Sequence, residues 1–304
     1  MRKGLSVQVP DEPGADDADV YASPDSHHHH PPLCPVALRY NPTARAGSFL
    51  DEPIILPVEG SEMSKVDTSL LIDQFHTLYY DRKEQTWGNT YWLGHHVLKC
   101  PLDLWTYQEI LHELQPELIV ETGTYLGGSA LFLASICDLL GRGQVLTIDV
   151  DRREDRPPHP RITYLTGSST SDPILRQVRR RAKDTSRVLV ILDSGHAKEH
   201  VLSELHAYAP LVTPGSYLIV EDTNLNGRPV DTRHGPGPAE AVTEFLTRND
   251  AFVRDESREK FLLTFNPGGY LKKRETAIRS PPVPSSLRSR LWGHLRIHRH
   301  PRGR

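Results

Sequence analysis

Three features of this 304-residue chain point to an α/β fold with a doubly wound, mainly parallel sheet. Short apolar runs rich in Val and Ile recur through residues 117–221, separated by stretches of helical length. The runs do not alternate apolar with polar residues, as expected of strands covered by helices on both faces. Four of them end in an acid (Glu121, Asp149, Asp193 and Glu221), which sets carboxylates along the rim where ligands of such folds bind.

From the N-terminus, residues 1–60 are rich in Pro, Asp, Gly and His and carry few regularly spaced apolar residues. That composition cannot bury enough surface to offset the entropy of ordering, so the segment is expected to be mostly disordered. Its tract His27–His30, followed by two prolines, reads as a solvated stretch rather than a formed metal site. Residues 61–115 have helical spacing and form a helical extension. Leu70, Leu71, Phe75 and Leu78 mark one helix, and Leu104, Tyr107, Leu111 and Leu114 mark a second over 102–114. The aromatic stretch between them, around Trp92 and His95, is placed beside the ligand site with Trp105, either as a wall of the acceptor pocket or as core packing.

The α/β domain is expected over 116–275. Its strands are read at 118–121, 145–150, 162–166, 188–193 and 217–221, and its helices at 129–140, 172–183 and 198–208. A further helix starts at Pro238 or Ala239, and the runs 251–254 and 261–265 suit a terminal hairpin. The tail 276–304 carries seven arginines and no acid, which reads as a solvated terminus. A net charge of −3 gives no argument for nucleic acid or membrane partners, and no apolar run approaches the ~18 residues of a membrane span. Cys34, Cys100 and Cys137 are odd in number and widely spaced, without a disulfide or metal pattern. A reduced, cytoplasmic protein is the expectation.

The glycine turn follows the first strand as Glu121-Thr-Gly123-Thr-Tyr125-Leu-Gly127-Gly128. Glycines there permit positive φ and close approach of backbone to a ligand. The spacing departs from the G-x-G-x-x-G of dinucleotide sites and resembles motif I of S-adenosylmethionine (SAM) methyltransferases. On that resemblance Gly123, Tyr125 and Gly127 approach the cofactor, with Glu121 facing its ammonium. Asp149, one strand on, suits the ribose hydroxyls. Ser168, in Gly167-Ser168-Ser169, is assigned to the adenine, although such a tripeptide is also an ordinary loop.

Asp193, Glu221 and Asp222 would converge if their strands are neighbours. Three like charges at that range repel, and a hard divalent cation, Mg²⁺ above all, resolves the conflict. The plainer alternative is a helix cap with two solvated acids. His196, together with Asp193, is placed in the catalytic role, as a base for a substrate hydroxyl or else as a residue of the helix start. The glycine-rich stretch 224–238 suits a lid or collar.

Taken in order, Leu98-Lys99-Cys100-Pro101-Leu102-Asp103-Leu104-Trp105, Glu121-Thr-Gly-Thr, Leu192-Asp193-Ser-Gly-His196, Glu221-Asp222-Thr-Asn and Arg258-Glu-Lys-Phe-Leu-Leu-Thr-Phe-Asn-Pro267 resemble the cephalosporin hydroxylase family, whose relatives include rhamnosyl O-methyltransferases. The resemblance spans about 61–273. It implies a Rossmann-like SAM-methyltransferase sheet with an oxygen-ligated Mg²⁺ on Asp193, Glu221 and Asp222, and SAM against Glu121, Gly123 and Asp149. It further implies O-methyl transfer to a hydroxyl of a sugar-bearing or natural-product small molecule, a place in antibiotic biosynthesis, and a homo-oligomer. Two alternatives stay open: a non-catalytic methyltransferase-like partner in antibiotic hydroxylation or methoxylation, and an NAD-dependent oxidoreductase.

Overall fold

The computed structural model describes residues 67–275. The polar segment 1–60, its histidine tract, Cys34 and the arginine-rich tail 276–304 lie outside the described residues. The chain opens with α1 (Thr68–Asp81), capped by Asp67, whose carboxylate accepts from the amides of Ser69 and Leu70. A small antiparallel hairpin follows, β1 (Tyr91–Trp92) and β2 (His95–His96), and then α2 (Pro101–Leu114), with proline where a helix needs no amide donor.

From there strand and helix alternate. β3 (Leu118–Thr122) leads to α3 (Gly128–Leu139), β4 (Gln144–Asp149), β5 (Ile162–Thr166) and α4 (Asp172–Ala182). Then come β6 (Val188–Leu192), α5 (Lys198–Tyr208), β7 (Tyr217–Val220), α6 (Pro238–Arg248), β8 (Phe252–Arg254) and β9 (Tyr270–Lys273). The seven-stranded sheet has the order β5-β4-β3-β6-β7-β9-β8. Its first five strands are parallel, while β9 runs antiparallel to both β7 and β8. Strand order reverses between β3 and β6, and in open α/β sheets that switch point is where ligands bind.

Each central strand divides its side chains between two cores with the period of two that a strand imposes. Leu118, Val120, Val190 and Leu218 face the core under α4, α5 and α6. Ile119, Leu189, Ile191 and Tyr217 face the core under α2 and α3. Both faces are buried, which is why the strands are apolar throughout. Cys137 lies wholly inside the second core, and both described cysteines are free and buried. No described helix is long and apolar enough to cross a membrane.

Two elements differ from expectation. The stripe of Leu70, Leu71, Phe75 and Leu78 on α1 is exposed, and the face turned inward is led by His76, with Tyr79 and Tyr80 partly buried. Helical spacing identified the helix, but its apolar stripe is not the packed face, because aromatic rings around Phe265 supply the burial. The His76 ring stacks on Phe265 at 5.7 Å, and Trp87 meets it edge-on at 5.4 Å. The second correction concerns the terminal hairpin. β8 is present, but the run 261–265 is a loop, buried at 263–265, and the pairing strand is β9. Asp103 of α2 explains this, since its carboxylate accepts from the Thr264 hydroxyl and the Phe265 amide at 2.5 and 2.8 Å. The Phe265 amide is thereby withdrawn from any ladder.

Candidate functional site

A cavity of about 600 Å³ lies at the carboxyl rim beside the switch point. Gly123 and Tyr125 reach it from the turn after β3, Asp149 from the end of β4, and Ser168 from the turn after β5. Asp193 and His196 reach it from the turn after β6, and Glu221 and Asp222 from the end of β7. One rim therefore carries eight of the ten residues singled out in the sequence. Glu121 and Gly127 do not line the cavity.

The turn after β3 is built by backbone constraint. Gly123 has φ +86°, and a Cβ on it would collide with the main-chain carbonyl of Asp193. Its amide donates to the carbonyl of Ile148 at 2.8 Å, tying the turn to β4. Gly127, with φ +81°, precedes α3 as its cap. Tyr125 sits at φ 47°, a conformation its own amide helps to fix by donating to the Asp149 carboxylate at 2.7 Å. Asp149 also faces the buried Arg156 guanidinium at 3.3 Å, and it retains accepting capacity toward the cavity.

Glu121 lies beneath the turn rather than at its surface. It is fully buried, and its oxygens accept from the hydroxyls of Ser129 and Thr147, both at 2.6 Å. Burial raises its pKa, with Lys99 and the two hydroxyls offsetting part of the rise. Its place is the junction of β3, β4 and α3, from which it anchors the glycine turn.

The acidic half of the cavity gathers Asp193, Glu221 and Asp222 from two neighbouring strand ends. One donor atom from each of Asp193, His196 and Asp222 lies within 4.8 Å of the others. The two carboxylates offer oxygen donors of the kind a small hard divalent cation takes, with the imidazole beside them. Glu221, expected as the third carboxylate, lies beside them and pairs with Lys99, as Asp193 does too. The Lys99 ammonium lies 2.5 Å from Glu221 Oε1 and 2.6 Å from Asp193 Oδ2. Burial raises Glu221, and the Asp193 charge adds to this while Lys99 offsets part of it. Burial likewise raises Asp193. Burial opposes the charge on Lys99, but Asp193 and Glu221 outweigh it and hold the ammonium well above the ordinary lysine range.

His196 Nε2 stands 3.4 Å from Asp222 Oδ2, in the turn ahead of α5. Asp222 itself has φ 56°, and its amide donates to Asn266 Oδ1 at 3.1 Å. Asn266 is fully buried and donates onward to the Tyr107 hydroxyl. A strained acid braced from behind in this way is characteristic of functional positions.

Sequence reasoning did not single out Lys99 or Tyr80, which close the cavity from the N-terminal extension together with Phe265 and with Trp87 of the aromatic stretch placed beside the site. Trp92, His95 and Trp105 are absent from its walls. Trp92 packs edge-on against Phe132 at 4.9 Å, and Trp105 is exposed on α2, donating to Glu109. A further group reached no prediction. Ser194 lies between His200, at 2.9 Å, and the fully buried Glu204, to which it donates at 2.8 Å. The bond to Glu204 raises the His200 pKa. His200 and Glu204 are four apart on α5, which was the available signal. The stretch 224–238 sends Leu225 into the cavity wall and sets the His234 ring 6.5 Å from that of His196.

The family profile described as Rhamnosyl O-methyltransferase/CmcI matches residues 84–274. The rhamnosyl O-methyltransferase of Mycobacterium leprae (strain TN) is 39% identical over 210 residues, covering 67% of this chain and 91% of that protein. The rhamnosyl O-methyltransferase of Mycobacterium tuberculosis (strain ATCC 25618 / H37Rv) is 38% identical over 211 residues, covering 66% and 83%. Among solved structures, the CmcI-N160 apo-structure superposes with a TM-score of 0.50 at 21% identity, covering 74% of this chain and 88% of that one, a likeness of fold. The matched stretch contains the glycine turn, all four strand-end acids and most of the residues lining the cavity, so the chain belongs to the rhamnosyl O-methyltransferase/CmcI family and is an S-adenosylmethionine-dependent O-methyltransferase.

Proposed function

We propose that the enzyme is Mg²⁺-dependent and methylates a hydroxyl of a sugar-bearing or other natural-product small molecule. One observation carries this reading. A single cavity joins a cofactor half (Gly123, Tyr125, Asp149 and Ser168) to an acidic half (Asp193, His196 and Asp222). The names of the mycobacterial relatives support a sugar hydroxyl as the acceptor.

Asp149 accepts the ribose hydroxyls, the Gly123 turn receives the amino-acid part of SAM, and Ser168 borders the adenine. Bound there, SAM supplies an electrophilic methyl on a sulfonium. Asp193 and Asp222 would hold the cation, which would supply Lewis acidity toward an acceptor hydroxyl. His196, oriented by its pairing with Asp222, takes the hydroxyl proton as the acceptor oxygen bonds to the methyl carbon. The carbon–sulfur bond breaks in line, its electron pair staying on sulfur to give S-adenosylhomocysteine. Tyr80, Trp87 and Phe265 exclude water and orient the acceptor, and such positioning supplies much of the rate.

The test is a mass-spectrometric assay of methyl transfer to a panel of rhamnosylated acceptors, in Mg²⁺ and in EDTA, with His196→Ala alongside wild type. The expected result is Mg²⁺-dependent product. His196→Ala should lose about 10²–10⁴-fold in turnover, the range of a general base, while still binding Mg²⁺. Loss of Mg²⁺ binding in that variant would make His196 a metal ligand and remove it from the base role. Full turnover in EDTA would contradict the metal assignment.

A further inference from the structure

Arg156 carries a buried guanidinium that the proposed reaction leaves unused. It is 7% exposed, belongs to the segment joining β4 to β5, and does not line the cavity. Its contacts run to Tyr125 and Asp149, which do line it. Arg156 Nε donates to the Tyr125 carbonyl at 2.9 Å, and its Nη2 stands 3.3 Å from Asp149 Oδ2. The same Asp149 oxygen accepts from the Tyr125 amide at 2.7 Å. Both backbone polar groups of Tyr125 are therefore held, one by each member of a single ion pair, at a residue whose φ is 47°. Such a conformation is costly for a residue with a bulky side chain and persists only where its surroundings impose it.

The guanidinium is itself fixed. The hydroxyl of Tyr164, on β5, donates to the Pro157 carbonyl at 2.8 Å, and the Tyr164 ring lies 5.7 Å from the guanidinium. A Cβ on Gly127 would come within 3.1 Å of Pro157 and 3.5 Å of the Arg156 Cβ, so this segment packs directly on the glycine turn. We propose that Arg156 is a positioning residue for the cofactor, clamping Tyr125 in its left-handed backbone conformation and thereby setting the affinity of the turn for SAM. This rests on the reading that the turn and Asp149 take SAM. The Tyr125 carbonyl needs a donor and the Asp149 carboxylate a cation, and the fork of a guanidinium serves both where the single nitrogen of an ammonium does not. Without the fork Tyr125 is free to relax, and its bound conformation must be re-formed at a cost to binding.

The experiment is calorimetric titration of the full chain with SAM and with S-adenosylhomocysteine, alongside melting temperature. The proteins are wild type, Arg156→Met, Arg156→Lys, Tyr125→Gly and the double variant Arg156→Met/Tyr125→Gly, with Asp149→Ala as a control on the cofactor reading. Arg156→Met is expected to bind both ligands at least about tenfold more weakly, the loss that releasing a left-handed residue entails. Arg156→Lys keeps a charge beside Asp149 and should still lose at least about fivefold. Glycine takes positive φ without penalty, so the same Arg156→Met change should weaken binding by less than about threefold in the Tyr125→Gly background. A merely structural role would lower the melting temperature and leave no such coupling between the two positions.

Smaller losses than these in Arg156→Met or Arg156→Lys, or a loss above about threefold in the Tyr125→Gly background, would overturn the proposal. If Arg156→Met does not fold, Tyr164→Phe takes its place, because it removes only the hydroxyl that holds Pro157. A loss of SAM affinity in Tyr164→Phe that disappears in the Tyr125→Gly background supports the clamp, and unchanged affinity overturns it. Asp149→Ala separates the two readings. Wild-type SAM affinity in that variant removes the cofactor reading and the clamp with it. Loss of SAM binding in Asp149→Ala, with Arg156→Met unaffected, removes the clamp alone.

Discussion

Gly123 and His76 show how single residues carry consequences that their neighbours fix. Gly123 combines φ +86° with a Cβ direction pointing into the Asp193 carbonyl. Gly123→Ala must therefore strain the backbone and push apart the two strand ends that flank the switch point. A loss of about 2–4 kcal/mol is expected, read as a lowered melting temperature, together with SAM affinity reduced at least about tenfold. His76 is 5% exposed and shares a 3.0 Å hydrogen bond with the Asn224 side-chain nitrogen. Burial pushes its pKa down to about 4 from the ordinary 6.5. The folded state thus resists a proton that the unfolded chain accepts. The stability present above pH 6.5 is lost as pH falls toward 4, up to about 3 kcal/mol. Asp103, which burial raises to about 6, has the opposite slope in the same window, its destabilising ionisation growing as pH rises. The discriminating measurement is therefore the difference between the melting profiles of wild type and His76→Gln from pH 7 to 4. That difference should shrink as pH falls, and a flat difference would contradict the assignment.

Among the elements, α2 does the most to shape the site without touching it. Asp103 accepts three hydrogen bonds, from Thr264, Phe265 and the Tyr270 hydroxyl. It thereby fixes the loop that carries Phe265 into the cavity and the start of β9. Asp103→Ala leaves those donors buried and unpaired and should cost about 3–5 kcal/mol. Hydrogen exchange should show the loss of protection concentrated in 263–271 rather than spread over the sheet. The same loop shows where sequence reading reached its limit. The strands β3, β6 and β7 were legible because burial on both faces leaves a continuous apolar run. Residues 261–265 have the same apolar character, and nothing local reveals that a carboxylate more than 150 positions away takes their hydrogen bonds. On α1, too, spacing revealed the helix and not which side would be covered.

At the scale of the molecule, the sheet order brings together strand ends that are distant in the chain, with β3 and β6 adjacent at the switch point. This is why so much of the rim was legible. Asp149, Asp193 and Asp222 each end or follow an apolar run, and a doubly wound sheet leaves such residues on one edge. Lys99 was not legible, because it enters from outside the sheet and is recognised only by the two carboxylates it meets. Glu121 had the opposite fate. Its position at a strand end was correct, but the Ser129 and Thr147 hydroxyls that draw it beneath the turn come from separate elements.

The central claim is that one cavity holds SAM on one side and a divalent cation on the other. Calorimetric titration of wild type and Asp222→Ala, with SAM and separately with Mg²⁺ after EDTA treatment, tests it most directly. The account predicts saturable SAM binding in both proteins and a separate Mg²⁺ site present only in wild type. Mg²⁺ binding that survives in Asp222→Ala, or a wild-type protein that binds no SAM, would contradict it.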